Sequence, residues 1–262
     1  MDKEKFSFSK LDTFNTCPRS YYLTYIKKVS GENNVYGYLG GEFHDCLEKL
    51  QKNLITKEEA KQKFMESIET SEMFGMEFPT AKSKKSYIDC LMLYLDSYER
   101  LPIENFETEE YFEFDIDGIT LRGFIDLYFI KENNIYVLDY KTSSKFSKKD
   151  LVKKEKQLIL YAMYLKEKYP EKDVVYLGFD MCKYIKNKRG TLKERTEMEE
   201  SFGNGYVEVD YNDSKVKELK TYVNSIVEKI DSLDRNNINE WKKNSKNKFF
   251  CDNLCSVEKY CN

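Results

Sequence analysis

Gly123-Phe124-Ile125-Asp126-Leu127-Tyr128-Phe129-Ile130, then Lys131-Glu132-Asn133-Asn134, then Ile135-Tyr136-Val137-Leu138-Asp139-Tyr140-Lys141 is the stretch that decides the fold. Two runs rich in β-branched and aromatic residues flank a polar turn, which is the signature of a β-hairpin. A turn centred on Glu132 and Asn133 sets Ile130 against Ile135, and stepping back by twos sets Asp126 against Asp139. Residues opposed on antiparallel strands have Cβ atoms roughly 4.5–5.5 Å apart. Lys141 follows Asp139 by two positions and projects from the same face. Two carboxylates and an ammonium thus meet among apolar neighbours. Opposed like charges destabilise a sheet unless a cation lies between them. A hard divalent ion meets that need, because Mg²⁺ is held by one or two carboxylates together with phosphate oxygens. The plainer reading is a solvated strand end, with one Asp in a turn and the other paired with Lys141. The registered partner Asp126 favours the site.

Working outward, 262 residues suit one large domain, or a domain with a small appendage. A hydrophobic content of 40%, with 17 Phe and 21 Tyr, is enough for a substantial core. The net charge of −3 exerts no global pull on nucleic acid. Its distribution is uneven, however, with lysines bunched over 82–85, 145–156, 183–189 and 242–248. The second cluster directly follows Lys141, where a phosphodiester would have to lie. No apolar run reaches the roughly 20 residues that span a bilayer. The opening Met1-Asp2-Lys3-Glu4-Lys5 lacks the apolar centre of a signal peptide. An intracellular, soluble, cytoplasmic protein is expected, with seven cysteines that do not form structural disulfides.

Before the hairpin the pattern is helical. Residues 7–27 suit an amphipathic helix capped by Ser9 and restarted at Pro18, which leaves Cys17 at a junction. Residues 31–41 read as a glycine-rich loop. Helices are expected over 42–51, 56–69 and 82–100, the second opened by a Thr56/Glu59 capping box. The first of these holds His44, the one histidine of the chain. Strands are expected over 108–115 and 119–130, joined by an Asp117-Gly118 turn, and then over 135–141. A helix over 149–169, a buried strand over 173–180, a strand over 205–210 and a helix over 215–230 complete the chain. The fold class is α/β, more exactly mixed α+β, with helices on both faces of a central mixed sheet.

The run Gly123-Phe124-Ile125-Asp126-Leu127, then Val137-Leu138-Asp139-Tyr140-Lys141-Thr142-Ser143, then Gln157-Leu158-Ile159-Leu160-Tyr161 resembles the motifs of the PD-(D/E)XK nuclease superfamily. It is most similar to the RecB-like branch, which includes CRISPR-associated RecB-like exonucleases and the AddB nuclease domain. Asp126, Asp139 and Lys141 match the two acids and lysine of the core motif. Gln157 and Tyr161 match a Gln-x-x-x-Tyr signature, four apart on one helix face. His44 matches the histidine this branch adds as a metal ligand. The resemblance covers residues 6–261 and implies a restriction-endonuclease-like core. It implies Mg²⁺ or Mn²⁺ held by Asp126, Asp139, His44 and the carbonyl of Tyr140. A nitrogen ligand leans the site toward Mn²⁺. Lys141 would orient or help deprotonate the attacking water, and Glu113 reads as a strand surface residue, with a role as a further acid the weaker alternative.

Cys251, Cys255 and Cys261 crowd a tail too short to need them for packing, so a soft metal or cluster is expected to staple it. Cys17 is the best fourth ligand. One N-terminal and three C-terminal cysteines resemble the iron–sulfur-stapled RecB-like nucleases, which implies a 4Fe-4S cluster, with zinc as the alternative occupant. Cys46, Cys90 and Cys182 lie in apolar segments and read as core residues. The resemblance makes the chain one RecB-like nuclease domain over 1–262, with a helical part over 1–105. The nuclease core follows over 106–232, and a cluster-binding tail over 233–262 packs with Cys17. It implies a metal-dependent exonuclease acting on single-stranded DNA or DNA ends. Protein partners in repair, recombination or CRISPR adaptation are implied too. The alternative is a catalytically silent nucleic-acid-binding or assembly module that retains the fold.

Overall fold

Strands β1 (Phe106–Ile116), β2 (Ile119–Lys131) and β3 (Asn134–Lys141) follow one another, and β2 and β3 form the expected antiparallel hairpin. Ile130 lies opposite Ile135 and Lys131 opposite Asn134, with Glu132 at a φ of 56° in the turn. The turn from β1 to β2 uses Asp117 at φ 52° and Gly118 at φ 86°, a left-handed pair that glycine and aspartate tolerate. The computed structural model describes residues 4–32, 34–144, 146–187 and 189–261, and of Phe202 only the main chain. Lys145 and Lys188 of the basic clusters, and residues 1–3, lie outside the described residues.

β3 pairs in parallel with β4 (Asp173–Met181), which pairs antiparallel with β5 (Tyr206–Glu208). Among the described residues the sheet has five strands in the order β1-β2-β3-β4-β5 and is flanked by helices, so the class is mixed α+β. Two compact units divide the chain, and two of the four boundaries between them fall inside β1 and β2. One contains Val35–Glu110 and Ile125–Tyr211; the other contains Met1–Asn34, Tyr111–Phe124 and Asn212–Asn262. Among the described residues no helix is long and apolar enough to cross a membrane.

The first unit builds its core from α3 (Val35–Gln51), α4 (Lys57–Met73) and α5 (Ala81–Ser97). Leu39, Phe43 and Leu47 meet Phe64, Leu91 and Tyr94, and the sheet contributes Leu127, Leu138 and Tyr140. Because strand side chains alternate, Val137, Asp139 and Lys141 face the other way. There α6 (Lys148–Lys168) packs, burying Leu158, Tyr161, Ala162 and Leu165. The capping box of α4 is formed as expected, with Thr56 and Glu59 bonded reciprocally.

Two expectations change here. The glycine-rich 31–41 stretch is not all loop, because α3 begins at Val35 and contains Gly37, Gly40 and Gly41. Each helical glycine costs about 1 kcal/mol relative to alanine. The buried stripe Val35, Leu39, Phe43, Cys46, Leu47 and Leu50 outweighs that cost. Sequence periodicity also misses α7 (Arg195–Phe202), which buries little besides Met198. It is pinned by charge: Arg195 Nη1 donates to the buried Asp180 at 2.8 Å, and Tyr94 OH donates to the same carboxylate at 2.6 Å.

In the second unit, α1 (Phe8–Thr16) is capped by Ser7 rather than Ser9. The Ser7 backbone is extended and its Oγ accepts from Lys10 N at 3.1 Å, whereas Ser9 already lies within the first turn. Cys17 ends α1 and precedes α2 (Pro18–Tyr21), with Pro18 at its first position. A π-turn over Tyr22–Ile26 follows. α8 (Asp213–Asp231) packs on α1 through its buried Leu219, Val223, Ile226 and Ile230. Trp241, fully buried, stacks on Tyr21 at 5.8 Å between centroids and meets Phe14 edge-on at 6.1 Å.

Candidate active site

The ladder of β2 and β3 runs to Leu127 opposite Leu138, one step short of Asp126 and Asp139. From there the Asp126 carboxylate turns to main chain, and its Oδ2 accepts from Tyr140 N at 2.8 Å. The same oxygen lies 3.4 Å from His44 Nδ1 on α3. Asp139 is fully buried. Its carboxylate is ion-paired with Lys141 Nζ, and among the described residues neither oxygen has another hydrogen-bond partner. Lys141 Nζ also donates to Gln157 Oε1 at 3.3 Å, and Gln157 Nε2 donates to Tyr161 OH at 2.6 Å. Two α6 residues spaced four apart thus hold the lysine from one helix face.

A third carboxylate enters from β1. His44, Glu109 and Asp126 each offer a ligand atom, and these atoms all lie within 4.8 Å of one another. Glu109 escapes the sequence reading because β1 does not alternate there. The in–out pattern is regular from Tyr111 to Ile116 and lost over 106–110. Glu109 itself takes a left-handed φ of 50°, which costs a non-glycine residue roughly 1–3 kcal/mol. Counting by twos from the Asp117-Gly118 turn therefore does not find it. Glu113, read from the sequence as a strand surface residue more than as a further acid, is an exposed strand residue bonded to Lys5 Nζ at 2.7 and 2.9 Å.

The electrostatics follow from burial and crowding. Burial, then Asp126, Glu48 and Asp139, push the Glu109 carboxyl up to about 7. Burial and the neighbouring Asp126 push Asp139 up to about 6, against the pull of Lys141 and His44. Burial likewise raises Asp126. His44 is lowered to about 4 by burial, with Asp139 and the Tyr140 backbone acting the other way. Tyr161 is raised by burial and then by both aspartates, which places its hydroxyl within their field. Three carboxylates, one imidazole nitrogen and one lysine make a site short of positive charge. A divalent cation supplies that charge, and the donor set of carboxylate oxygens with one nitrogen fits Mg²⁺ or Mn²⁺.

The family model of the PD-(D/E)XK nuclease superfamily matches residues 5–262. The chain belongs to that superfamily. No curated protein matches it. Membership makes the chain a nuclease of the hydrolase class, and PD-(D/E)XK nucleases usually use Mg²⁺ or Mn²⁺.

The four cysteines named from sequence all belong to the second unit of the nuclease. Cys17 is buried, while Cys251 in α9 (Lys248–Asn253), Cys255 and Cys261 are partly exposed. Burial raises the Cys251 thiol, and Cys17, Cys255 and Cys261 each raise it further. Backbone and side-chain bonds hold the tail at this point. Arg19 Nε donates to Trp241 O at 2.8 Å, Asn244 Nδ2 to Thr16 O at 2.7 Å, and Glu32 N to Ser256 O at 2.8 Å. Cys46, Cys90 and Cys182 are buried, as their apolar surroundings in the sequence suggest.

Proposed function

We propose that this PD-(D/E)XK chain is a metal-dependent deoxyribonuclease of the RecB-like branch, acting as an exonuclease on single-stranded DNA or DNA ends. The observation that supports it is the convergence of His44, Glu109, Asp126, Asp139 and Lys141 at the start of the β2–β3 ladder. In this reading His44, Asp126, Asp139 and the carbonyl of Tyr140 hold the ion, and Glu109 joins them. The ion supplies Lewis-acid stabilisation of the phosphate charge. Lys141 orients the attacking water, and Gln157, backed by Tyr161, keeps the lysine in place. Asp126, fixed by the Tyr140 N–H, keeps one oxygen aimed along the strand end. The surrounding burial excludes bulk water and strengthens each of these interactions.

Cys17, Cys251, Cys255 and Cys261 bind a 4Fe-4S cluster in the same reading. Four sulfur donors drawn from both ends of one compact unit suit a soft iron–sulfur group, with zinc the other occupant.

End-labelled single-stranded and double-stranded DNA, incubated with Mg²⁺ or Mn²⁺, tests the activity. The wild-type protein shortens single strands from an end. Asp139→Ala lowers the rate by roughly 10²–10³-fold or more. Undiminished cleavage by that variant sinks the assignment.

A further inference from the structure

The outer face of the β1–β2 hairpin holds two aromatic rings that the core does not use. Tyr111 is 48% and Phe124 53% exposed. Their centroids are 5.3 Å apart and their planes inclined by 57°. The hydrophobic requirement of these strands is met on the opposite face by the buried Phe112, Phe114, Leu121 and Ile125. A cross-strand aromatic pair stabilises a hairpin by about 0.2–1 kcal/mol. Less exposed or β-branched residues supply that as well, so stability alone does not account for two half-exposed rings.

The pair is also held in orientation. Tyr111 OH donates to Glu113 Oε1 at 2.5 Å, and Lys5 Nζ donates to both Glu113 oxygens. Lys5 is bonded to the Glu113 carboxylate and Arg122, two residues before Phe124 on β2, adds to the positive field on it. An oriented aromatic surface beside cations is what bases and phosphates of an unpaired strand require. Base–aromatic stacking is worth about 1–3 kcal/mol per base. In a duplex those base faces are covered by neighbouring bases, so only unpaired bases can stack on a protein ring.

We propose that Tyr111 and Phe124 form a stacking platform for the unpaired bases of single-stranded DNA, with Lys5 and Arg122 beside its phosphates. The proposal rests on the nuclease reading above, and it assigns the strand preference to two named rings. Phe124 and Asp126 are alternate residues of the same strand, β2.

The test compares binding and cleavage in the full-length protein. Fluorescence anisotropy in EDTA measures binding of labelled oligo(dT), an abasic strand of equal length and a duplex. The Tyr111→Leu/Phe124→Leu variant keeps apolar contact across the strands but loses both flat faces. It is expected to bind oligo(dT) on the order of 10–100-fold more weakly. It should melt at the wild-type temperature by circular dichroism and treat oligo(dT) and the abasic strand alike. Tyr111→Phe keeps the flat face but loses the bond to Glu113, and is expected to bind between the wild type and the leucine variant. If the double variant fails to fold, Phe124→Leu alone gives the same comparison. Wild-type affinity for oligo(dT) in the leucine variant overturns the platform. So does a shift from dimer to monomer in that variant with DNA binding unchanged, which marks the pair as a contact between two copies. Cleavage by the wild type with Mn²⁺ separates the two readings. A wild type that cuts DNA beside a leucine variant with unchanged binding defeats the platform alone. A wild type that binds in a base-dependent way and cuts nothing defeats the nuclease reading alone.

Discussion

At Glu109 the backbone adopts a φ of 50°, and the side chain comes within ligand distance of His44 and Asp126. Strained residues of this kind persist where surrounding structure holds them and concentrate at functional sites. A carboxylate with that placement is expected to contribute directly to ion binding. Glu109→Gln should raise the dissociation constant for Mn²⁺ by roughly 10–100-fold, the range lost even when an outer partner of a ligand is removed. Isothermal titration with Mn²⁺ measures it, with Glu113→Gln as the control that leaves affinity unchanged. Equal affinity in wild type and Glu109→Gln removes Glu109 from the ligand set. The two aspartates and Lys141 are legible by counting from a turn, because a strand side chain repeats every two residues. Glu109 is not, because one left-handed residue shifts that count.

Among elements, the contact of β1 and β2 with α6 depends on Glu110. Its carboxylate accepts from Tyr128 OH at 2.6 Å, Tyr164 OH at 2.9 Å and Lys168 Nζ at 2.5 Å. Burial acts to raise its pKa, but the bonds from Lys168, Tyr128 and Tyr164 outweigh it and hold the carboxyl below its usual value. The sign of the linkage follows. A depressed carboxylate stabilises the fold above its unfolded pKa of about 4.3, and that contribution is lost as pH falls through the lower folded value. Glu110→Ala should cost about 1–3 kcal/mol near neutral pH. Urea unfolding across pH should show the difference from wild type shrinking in acid, and a difference that stays constant with pH contradicts the linkage. The helices that periodicity reveals are those held by apolar stripes, such as α5 with Tyr87, Leu91, Tyr94 and Leu95. α7 escapes because its anchor is the Arg195–Asp180 ion pair, which leaves no periodic trace.

Across the whole molecule, chain ends far apart in sequence are drawn into one unit. Trp241 lies among Phe14, Tyr21 and Tyr22, and the segment around it bonds to the main chain at Thr16 and Arg19. The four cysteines add to that closure if they bind a cluster, because metal binding free energy becomes folding free energy. Anaerobically purified protein should be brown and contain iron, and colourless protein with stoichiometric zinc would refute the cluster. Cys255→Ser should lower the melting temperature by on the order of 5–10 °C, a few kcal/mol for a chain of this size. Its Mn²⁺ affinity should stay at the wild-type value, because His44, Glu109 and Asp126 belong to the other unit. An unmoved melting temperature rules out the staple.

The sequence by itself determined the β2–β3 register from Leu127 opposite Leu138 to Lys131 opposite Asn134, Lys141 beside Asp139 and the Gln157–Tyr161 pair. Each follows from a short-range rule, either alternation along a strand or a four-residue step along a helix. It also marked Cys17 and the tail cysteines through their chemistry rather than their spacing. Only the tertiary structure decided that α3 runs through its glycines, that Arg195 forms a helix start around a buried aspartate, and that Glu109 joins His44 and Asp126. Those outcomes depend on burial against distant segments and on one left-handed φ, and neither is encoded in the local pattern of residues.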